Sequence, residues 1–249
     1  MKLYSPLAGL LLIFSSLSVM ADRSFLVDAD WLAEHIDDEN QVVLEVRYHP
    51  HRYYTIGHIP GSVQVQRFKD LGDNQSNPIM RIPSQQAFQD TLRSWGINND
   101  STVVIYDDSS TALASRVYFL LDLFGFNMNQ VKILEGGTIE WTAFEELTKE
   151  ATPVSQGQVT LKAMDQSKVI EWSNVYDDVV SRRDSSVVLL DARPHDMYTG
   201  KIIQHSIMAG HIPGAINIVS LDGTESQKWI SEEALTELYA PIEKDKTIY

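Results

Sequence analysis

One pentapeptide occurs twice in this chain, and this repeat constrains the fold more than any other feature. Residues 57–61 read Gly-His-Ile-Pro-Gly, and residues 210–214 read the same. The apolar run at 42–47, upstream of the first copy, returns at 188–193 upstream of the second. A duplication of this length indicates two similar domains rather than a solenoid of short units.

Each copy has the pattern of an α/β domain. Nearly uninterrupted apolar runs at 42–46, 102–106 and 131–134 are typical of strands that are buried on both faces. A stretch with helical spacing at 112–124 separates two of these runs. Alternation of strands and helices predicts a parallel sheet flanked by helices.

The pattern divides the chain into four parts. We assign residues 1–21 to a signal peptide, residues 24–148 to a first domain (repeat one) and residues 167–249 to a second (repeat two). Residues 149–166 are polar, lack sustained periodicity and are predicted to be a linker. Repeat two is expected to be the incomplete N-terminal two-thirds of its domain, because repeat one continues well beyond the point that Tyr249 reaches.

The first 21 residues predict export. Lys2 gives a short positive start, an apolar run follows, and Val19 to Ala21 offers small residues at a signal-peptidase site. The run is short for a membrane span, although an uncut membrane anchor is the alternative. We therefore expect a bacterial periplasmic protein with no stable membrane association after cleavage.

Charge and cysteine content exclude several classes of function. The formal net charge is −14, and it becomes −15 when Lys2 leaves with the signal peptide. Such an acidic chain repels nucleic acid and anionic lipid, so neither is an expected partner. The sequence contains no cysteine, which excludes disulfides and a thiol nucleophile among the 249 residues.

Several motifs in register resemble the rhodanese family, the tandem-domain sulfurtransferases typified by thiosulfate sulfurtransferase. In repeat two, Asp191-Ala192-Arg193-Pro194 leading to residues 209–217 is similar to the family's first signature. In repeat one, residues 104–108, 114–116 and 134–137 with Trp141 resemble the family's inactive N-terminal domain. The resemblance covers nearly all of residues 25–249.

The resemblance implies both the fold and the chemistry. Family members carry a sulfane sulfur from thiosulfate or a similar donor to a thiol or cyanide, through a persulfide on a residue just after the central strand. The implied partners are a small sulfur-containing anion and a thiol acceptor. No metal or organic cofactor is implied.

The nucleophile position is occupied differently in the two repeats. Asp107 holds it in repeat one, and a carboxylate cannot form a persulfide, so repeat one is expected to be non-catalytic. Aligning Tyr249 with Tyr106 places the nucleophile of repeat two immediately after Tyr249. A partial sequence, a frameshift or a damaged gene would account for its absence. A sharper hypothesis is a selenocysteine codon read as a stop, which would make this a selenoprotein. The chain as printed is expected to be inactive.

Five residues of repeat two form the predicted site. Arg193 is predicted to bind the substrate anion, because a guanidinium donates in a planar fork. The alternative is an ion pair within its own loop, for instance with Asp196. Asp191, Gly210, His211 and Gly214 are predicted to be structural, and His58 and His211 to hold a turn rather than to act as bases. No metal site is predicted. Trp229 and the insertion at 200–208, which repeat one lacks, are expected to shape access to the site.

Two other classes of function stay open at this point. A degenerate rhodanese domain can be a non-catalytic binding or sulfur-sensing module. A phosphatase or arsenate reductase of the related loop type would need a longer anion-binding loop, and the tandem arrangement disfavours it.

Overall fold

The structure is a computed structural model that describes residues 24–204 and 208–249. The predicted signal peptide lies outside the described residues. Within the two described ranges, no helix is both long enough and apolar enough to cross a membrane.

Repeat one is a five-stranded parallel sheet covered by helices, as predicted. The strand order is β1-β5-β4-β2-β3, and every pair runs parallel. The strands are β1 (Leu26–Val27), β2 (Gln41–Val46), β3 (Val63–Val65), β4 (Thr102–Asp107) and β5 (Val131–Leu134). The helices are α1 (Ala29–His35), α2 (Arg52–Thr55), α3 (Arg67–Asp70), α4 (Gln85–Ser94), α5 (Ala114–Leu123) and α6 (Gly137–Thr142).

The central strands of repeat one are buried on both sides of the sheet, which explains their continuous apolar runs. One core cluster includes Leu44, Phe88, Ile105 and Leu120, and a second, on the other side, includes Val43 and Val104. Alternate residues of β2 and β4 therefore enter opposite clusters. Burial on both faces fixes the register of β4, and with it the position of Asp107 at the end of that strand.

The predicted linker is packed rather than free. Val159 and Leu161 are buried in the first core cluster. Their carbonyl oxygens accept hydrogen bonds from Arg93 Nε and Gln85 Nε2, at 2.9 and 2.8 Å. This part of the segment therefore packs against α4 of repeat one, although it forms neither a helix nor a strand.

The parallel strands of repeat two pair in the same way as β4, β2 and β3 of repeat one. The parallel pairs of repeat two are β6 (Val187–Val188) with β11 (Thr247–Ile248), and β7 (Leu190–Asp191) with β8 (Ile216–Asn217). Its helices are α7 (Trp172–Val175), which continues as a π-helical turn at Tyr176–Ser181, α8 (His195–Tyr198) and α9 (Glu232–Leu238). The Ser231 hydroxyl caps α9 by accepting the Ala234 N–H at 3.2 Å.

Repeat two buries far fewer apolar side chains than repeat one. The buried apolar residues of its described part are Val179, Ala215 and Ile218, and α9 buries none. Ile248 in β11 is more than half exposed, whereas the corresponding part of β4 in repeat one, Val103 and Val104, is fully buried. The apolar burial that stabilises a domain is therefore concentrated in repeat one.

A short hairpin of repeat two joins the repeats. Its strands are β9 (Thr224–Glu225) and β10 (Lys228–Trp229), which pair antiparallel. The Trp229 N–H donates to Glu135 Oε1 at 3.0 Å, and Lys228 Nζ lies 2.7 Å from Glu140 Oε2. The hairpin therefore contacts repeat one where β5 ends and α6 begins.

Candidate active site

The Asp107 carboxylate fills the loop that follows β4. Its Oδ1 accepts the N–H groups of Ser109 and Thr111, both at 3.0 Å. Its Oδ2 accepts those of Leu113 and Ala114, at 2.8 and 2.9 Å. Four converging N–H donors make the loop a cradle for an anion, and the protein's own side chain supplies that anion.

The cradle is closed from outside as well. Asp107 is 3% exposed, and Gly137 lies so close that a Cβ there would meet the Asp107 carbonyl oxygen at 2.2 Å. Gly137 also has a φ of +52°, which a side chain would disfavour. Repeat one thus has neither a nucleophile nor room for a donor at this position.

A tyrosine–histidine pair holds the Gly-His-Ile-Pro-Gly turn of repeat one. The His58 ring stacks on the Tyr53 ring with centroids 3.5 Å apart. His58 Nδ1 lies 3.0 Å from the Tyr53 carbonyl oxygen, and Nε2 lies 3.0 Å from that of Glu150. Both nitrogens of a fully buried ring are therefore occupied by backbone.

Repeat two builds the same turn from the same parts. The His211 ring stacks on Tyr198 at 3.7 Å, and its Nδ1 lies 2.8 Å from the Tyr198 carbonyl oxygen. The Tyr198 hydroxyl donates to the carbonyl of Ala215 at 2.8 Å, as Tyr53 donates to Ser62. This geometry agrees with the structural interpretation of the two histidines.

A buried acid–arginine pair precedes the turn in repeat one. Arg47 forms an ion pair with Glu45 and donates to the Gly57 carbonyl at 2.7 Å. Tyr106 donates its hydroxyl hydrogen to Glu45 Oε2 at 2.9 Å. Desolvation raises the pKa of Glu45 to about 7, although Arg47 and Tyr106 oppose the shift.

Arg193 repeats this arrangement in repeat two at a more exposed position. Its Nε donates to Asp191 Oδ1 at 2.9 Å and its guanidinium donates to the Gly210 carbonyl at 3.0 Å. These hydrogen bonds lower the pKa of Asp191 and raise that of Arg193. Arg193 thus forms the ion pair within its own loop that the sequence left open, but with Asp191 rather than Asp196, which pairs with Lys201 at 3.0 Å.

A cavity of about 710 Å³ lies beside these residues of repeat two. Arg193, Asp191, Gly210 and His211 all line it, so the structure brings four of the five predicted residues together. The fifth, Gly214, lies on the far side of the turn, where a Cβ would meet Val179 at 3.0 Å.

Repeat one shows what occupies the corresponding space in the other copy of the fold. There the turn is covered by the segment after α6, since His58 forms an antiparallel bridge with Thr148. Trp141 and Leu147 pack in the second core cluster beside Ile59. The cavity of repeat two thus corresponds to a filled position in repeat one.

The strand register corrects the expected position of the nucleophile. Ile248 pairs with Val188, and Val103 pairs with Val42. Val188 and Val42 occupy the same position of the repeat, so Ile248 corresponds to Val103 and Tyr249 to Val104. The counterpart of Asp107, four residues beyond Val103, would therefore be position 252 of a longer chain. The register thus favours a position three residues past Tyr249 over the one immediately after it, and a selenocysteine there stays a prediction.

Sequence reasoning missed two contributors to the turn. Tyr53 and Tyr198 lie 5 and 13 residues before their histidines, and the unequal spacing hides the equivalence. Asn217 was also missed, although it was within the quoted motif. Its Nδ2 donates to the carbonyls of Asp191 and Arg193, at 2.8 and 2.9 Å, and so holds the end of β7.

Two further sequence expectations concern the edge of the cavity and metals. Met208 lines the cavity, but Trp229 lies in the inter-repeat hairpin and does not. Part of the insertion at 200–208 lies outside the described residues. In the described part of the chain, no group of three or more His, Asp or Glu side chains could hold a metal ion.

The rhodanese-like domain matches residues 28–144 and 176–249, and the chain belongs to the rhodanese family. It is 32% identical over 246 residues to the sulfur carrier protein TtuD of Thermus thermophilus, covering 92% of this chain and 82% of the relative. It is 29% identical over 206 residues to 3-mercaptopyruvate sulfurtransferase of Escherichia coli, covering 78% and 71%.

The solved structures agree with this assignment. The crystal structure of SseA from Escherichia coli, a 3-mercaptopyruvate sulfurtransferase, superimposes with a TM-score of 0.77 at 26% identity. The match covers 90% of this chain and 86% of the other. The chain therefore has the tandem rhodanese fold of sulfurtransferases.

Proposed function

We propose that this protein is a sulfurtransferase in which only repeat two takes part in the chemistry. It moves a sulfane sulfur from thiosulfate or a similar small anion to a thiol or cyanide. The nucleophile is a cysteine at the counterpart of Asp107, in a chain that continues past Tyr249. We further propose that the protein acts in the periplasm after removal of residues 1–21.

The Asp107 cradle is the observation that carries this proposal. In this fold the loop after the central strand directs four N–H groups to one point, which stabilises an anion there. In repeat one that anion is an inert carboxylate. A cysteine at the same point of repeat two would be held as the thiolate, because the same donors lower its pKa.

The reaction then needs two balanced steps. The thiolate attacks the outer sulfur of thiosulfate, the sulfur–sulfur bond of the donor breaks, and sulfite leaves with the bonding electron pair. The acceptor thiolate or cyanide then attacks the outer sulfur of the persulfide and releases the enzyme thiolate. Arg193, at the edge of the cavity, attracts the anionic donor.

The test is to express the whole reading frame, read from genomic DNA past the Tyr249 codon. After treatment with thiosulfate, we expect the intact protein to gain the mass of one sulfur atom, which cyanide removes. Exchange of the cysteine at position 252 for serine should abolish the gain, whereas Asp107→Asn should leave it.

The second candidate is a non-catalytic binding module, which the closed cradle of repeat one favours. Asp or Ser at position 252, together with no gain of sulfur, would establish it and would exclude the sulfurtransferase.

A further inference from the structure

One arginine of repeat one has no hydrogen-bond acceptor for its Nε–H among the described residues. Arg67 opens α3, directly after β3, at the edge of the sheet where the parallel strands end. Its Nε is buried and has no hydrogen-bond partner. Within the two ranges that the structure describes, no carboxylate lies within ion-pair distance of Arg67. A buried donor without an acceptor costs free energy, which a bound acceptor would recover.

Two aromatic rings lie against this guanidinium. Its central carbon is 4.2 Å from the centroid of Tyr48 and 4.2 Å from that of Phe68. Both rings are about half exposed. Contact with the rings holds the plane of the guanidinium and removes water from it, so its N–H edge is the part left for a ligand.

The nearby carboxylates are already used. Asp108 accepts the Tyr48 N–H at 3.1 Å and lies 3.7 Å from Arg52. Asp70 accepts the Gln66 N–H at 2.8 Å. Arg67 therefore has no ion-pair partner among the described residues, in a chain whose net charge is −14.

We propose that Arg67, Tyr48 and Phe68 form a binding site for a small oxyanion in repeat one. Two oxygens of a carboxylate or of a sulfur oxyanion fit the parallel N–H groups of a guanidinium fork. The site is separate from the Asp107 cradle, which its own carboxylate fills, and from Arg193 in repeat two. It does not depend on the proposed sulfurtransferase activity.

The probe is sodium thiosulfate, titrated into the full 249-residue chain at an ionic strength held constant with sodium chloride. The readout is the NMR signal of the Arg67 Nε–H, assigned by its loss in Arg67→Lys. We expect a saturable shift of this signal and of the Tyr48 ring. Acetate in place of thiosulfate shows whether the site takes carboxylates as well or only sulfur oxyanions.

Three variants test the geometry. Arg67→Gln should weaken binding about 10- to 100-fold, because it removes charge-assisted hydrogen bonds. Phe68→Ala keeps the charge and should weaken binding about threefold through the loss of ring contact. Arg81→Gln is the matched control and should change nothing, since Arg81 is exposed and lies a loose 3.9 Å from Glu171.

A shift that chloride alone reproduces, or that does not saturate, would overturn the proposal. Equal binding by Arg67→Gln and the native chain would overturn it as well. Thermal unfolding of each variant separates loss of the site from loss of the fold, and Arg67→Lys, which keeps the charge without the fork, should bind with intermediate strength if the protein folds.

Discussion

The His211 ring stacks on the Tyr198 ring at a centroid distance of 3.7 Å, while its Nδ1 lies 2.8 Å from the Tyr198 carbonyl oxygen. One residue thus holds the histidine by both its ring and its backbone. The same double contact joins His58 to Tyr53 in repeat one. A contact that occurs in both repeats, one of them without a nucleophile, belongs to the turn rather than to the chemistry.

The two histidines should differ in what they contribute to stability. His58→Ala removes a fully buried ring with two backbone partners and should lower the free energy of unfolding by about 3 kcal/mol. His211→Ala, at an exposed ring, should cost about 1 kcal/mol. Urea unfolding followed by circular dichroism measures both, and equal losses would contradict the difference in burial.

The cradle predicts a large cost for Asp107→Asn. An amide nitrogen would face two of the four N–H donors, so we expect a loss of about 3 kcal/mol. Asp108→Asn, one residue along and less buried, is the control and should cost less than about 1 kcal/mol. A loss at Asp107 no greater than that of the control would show that the cradle does not need an anion.

Glu45 should make stability depend on pH. Its folded pKa, about 7, lies above the usual glutamate value of 4.5, so between these pH values the native state holds a proton that the unfolded state has released. Its contribution to stability is therefore complete below about pH 4.5 and is lost as the pH rises to about 7. Subtracting the unfolding profile of Glu45→Gln from that of the native chain isolates this slope, and superimposable profiles would contradict it.

Arg47 and Arg193 make parallel contacts but should respond differently to substitution. Above about pH 7, where Glu45 is ionised, Arg47→Gln leaves its carboxylate buried and unpaired and should cost about 3–5 kcal/mol of folding free energy. Arg193→Gln, on a guanidinium that is 39% exposed, should cost much less, because solvent screens its ion pair. If Arg193 also attracts the donor, its variant should weaken thiosulfate binding at the cavity. Unchanged binding would assign Arg193 to the turn alone.

The sequence predicted the fold well because the repeat and the apolar runs depend on burial, which leaves a direct pattern. The strands around Val43 and Val104 could be predicted. So could the inability of Asp107 to form a persulfide. The register of Tyr249 could not be predicted. Tyr106 and Tyr249 both follow an apolar run, so the sequence aligns them, but strand pairing in the sheet aligns Tyr249 with Val104. The burial of Val159 and Leu161 could not be predicted either, because their segment has no helical or strand periodicity.

The filled cradle also bears on how a duplicated domain can lose its activity. Four N–H groups that converge on one point need a hydrogen-bond acceptor there. The loop therefore does not tolerate every replacement of its reactive residue. An aspartate satisfies the donors at once, whereas an alanine would leave all four unpaired. Replacement of the reactive residue in a non-catalytic copy is thus restricted by the backbone geometry of the loop.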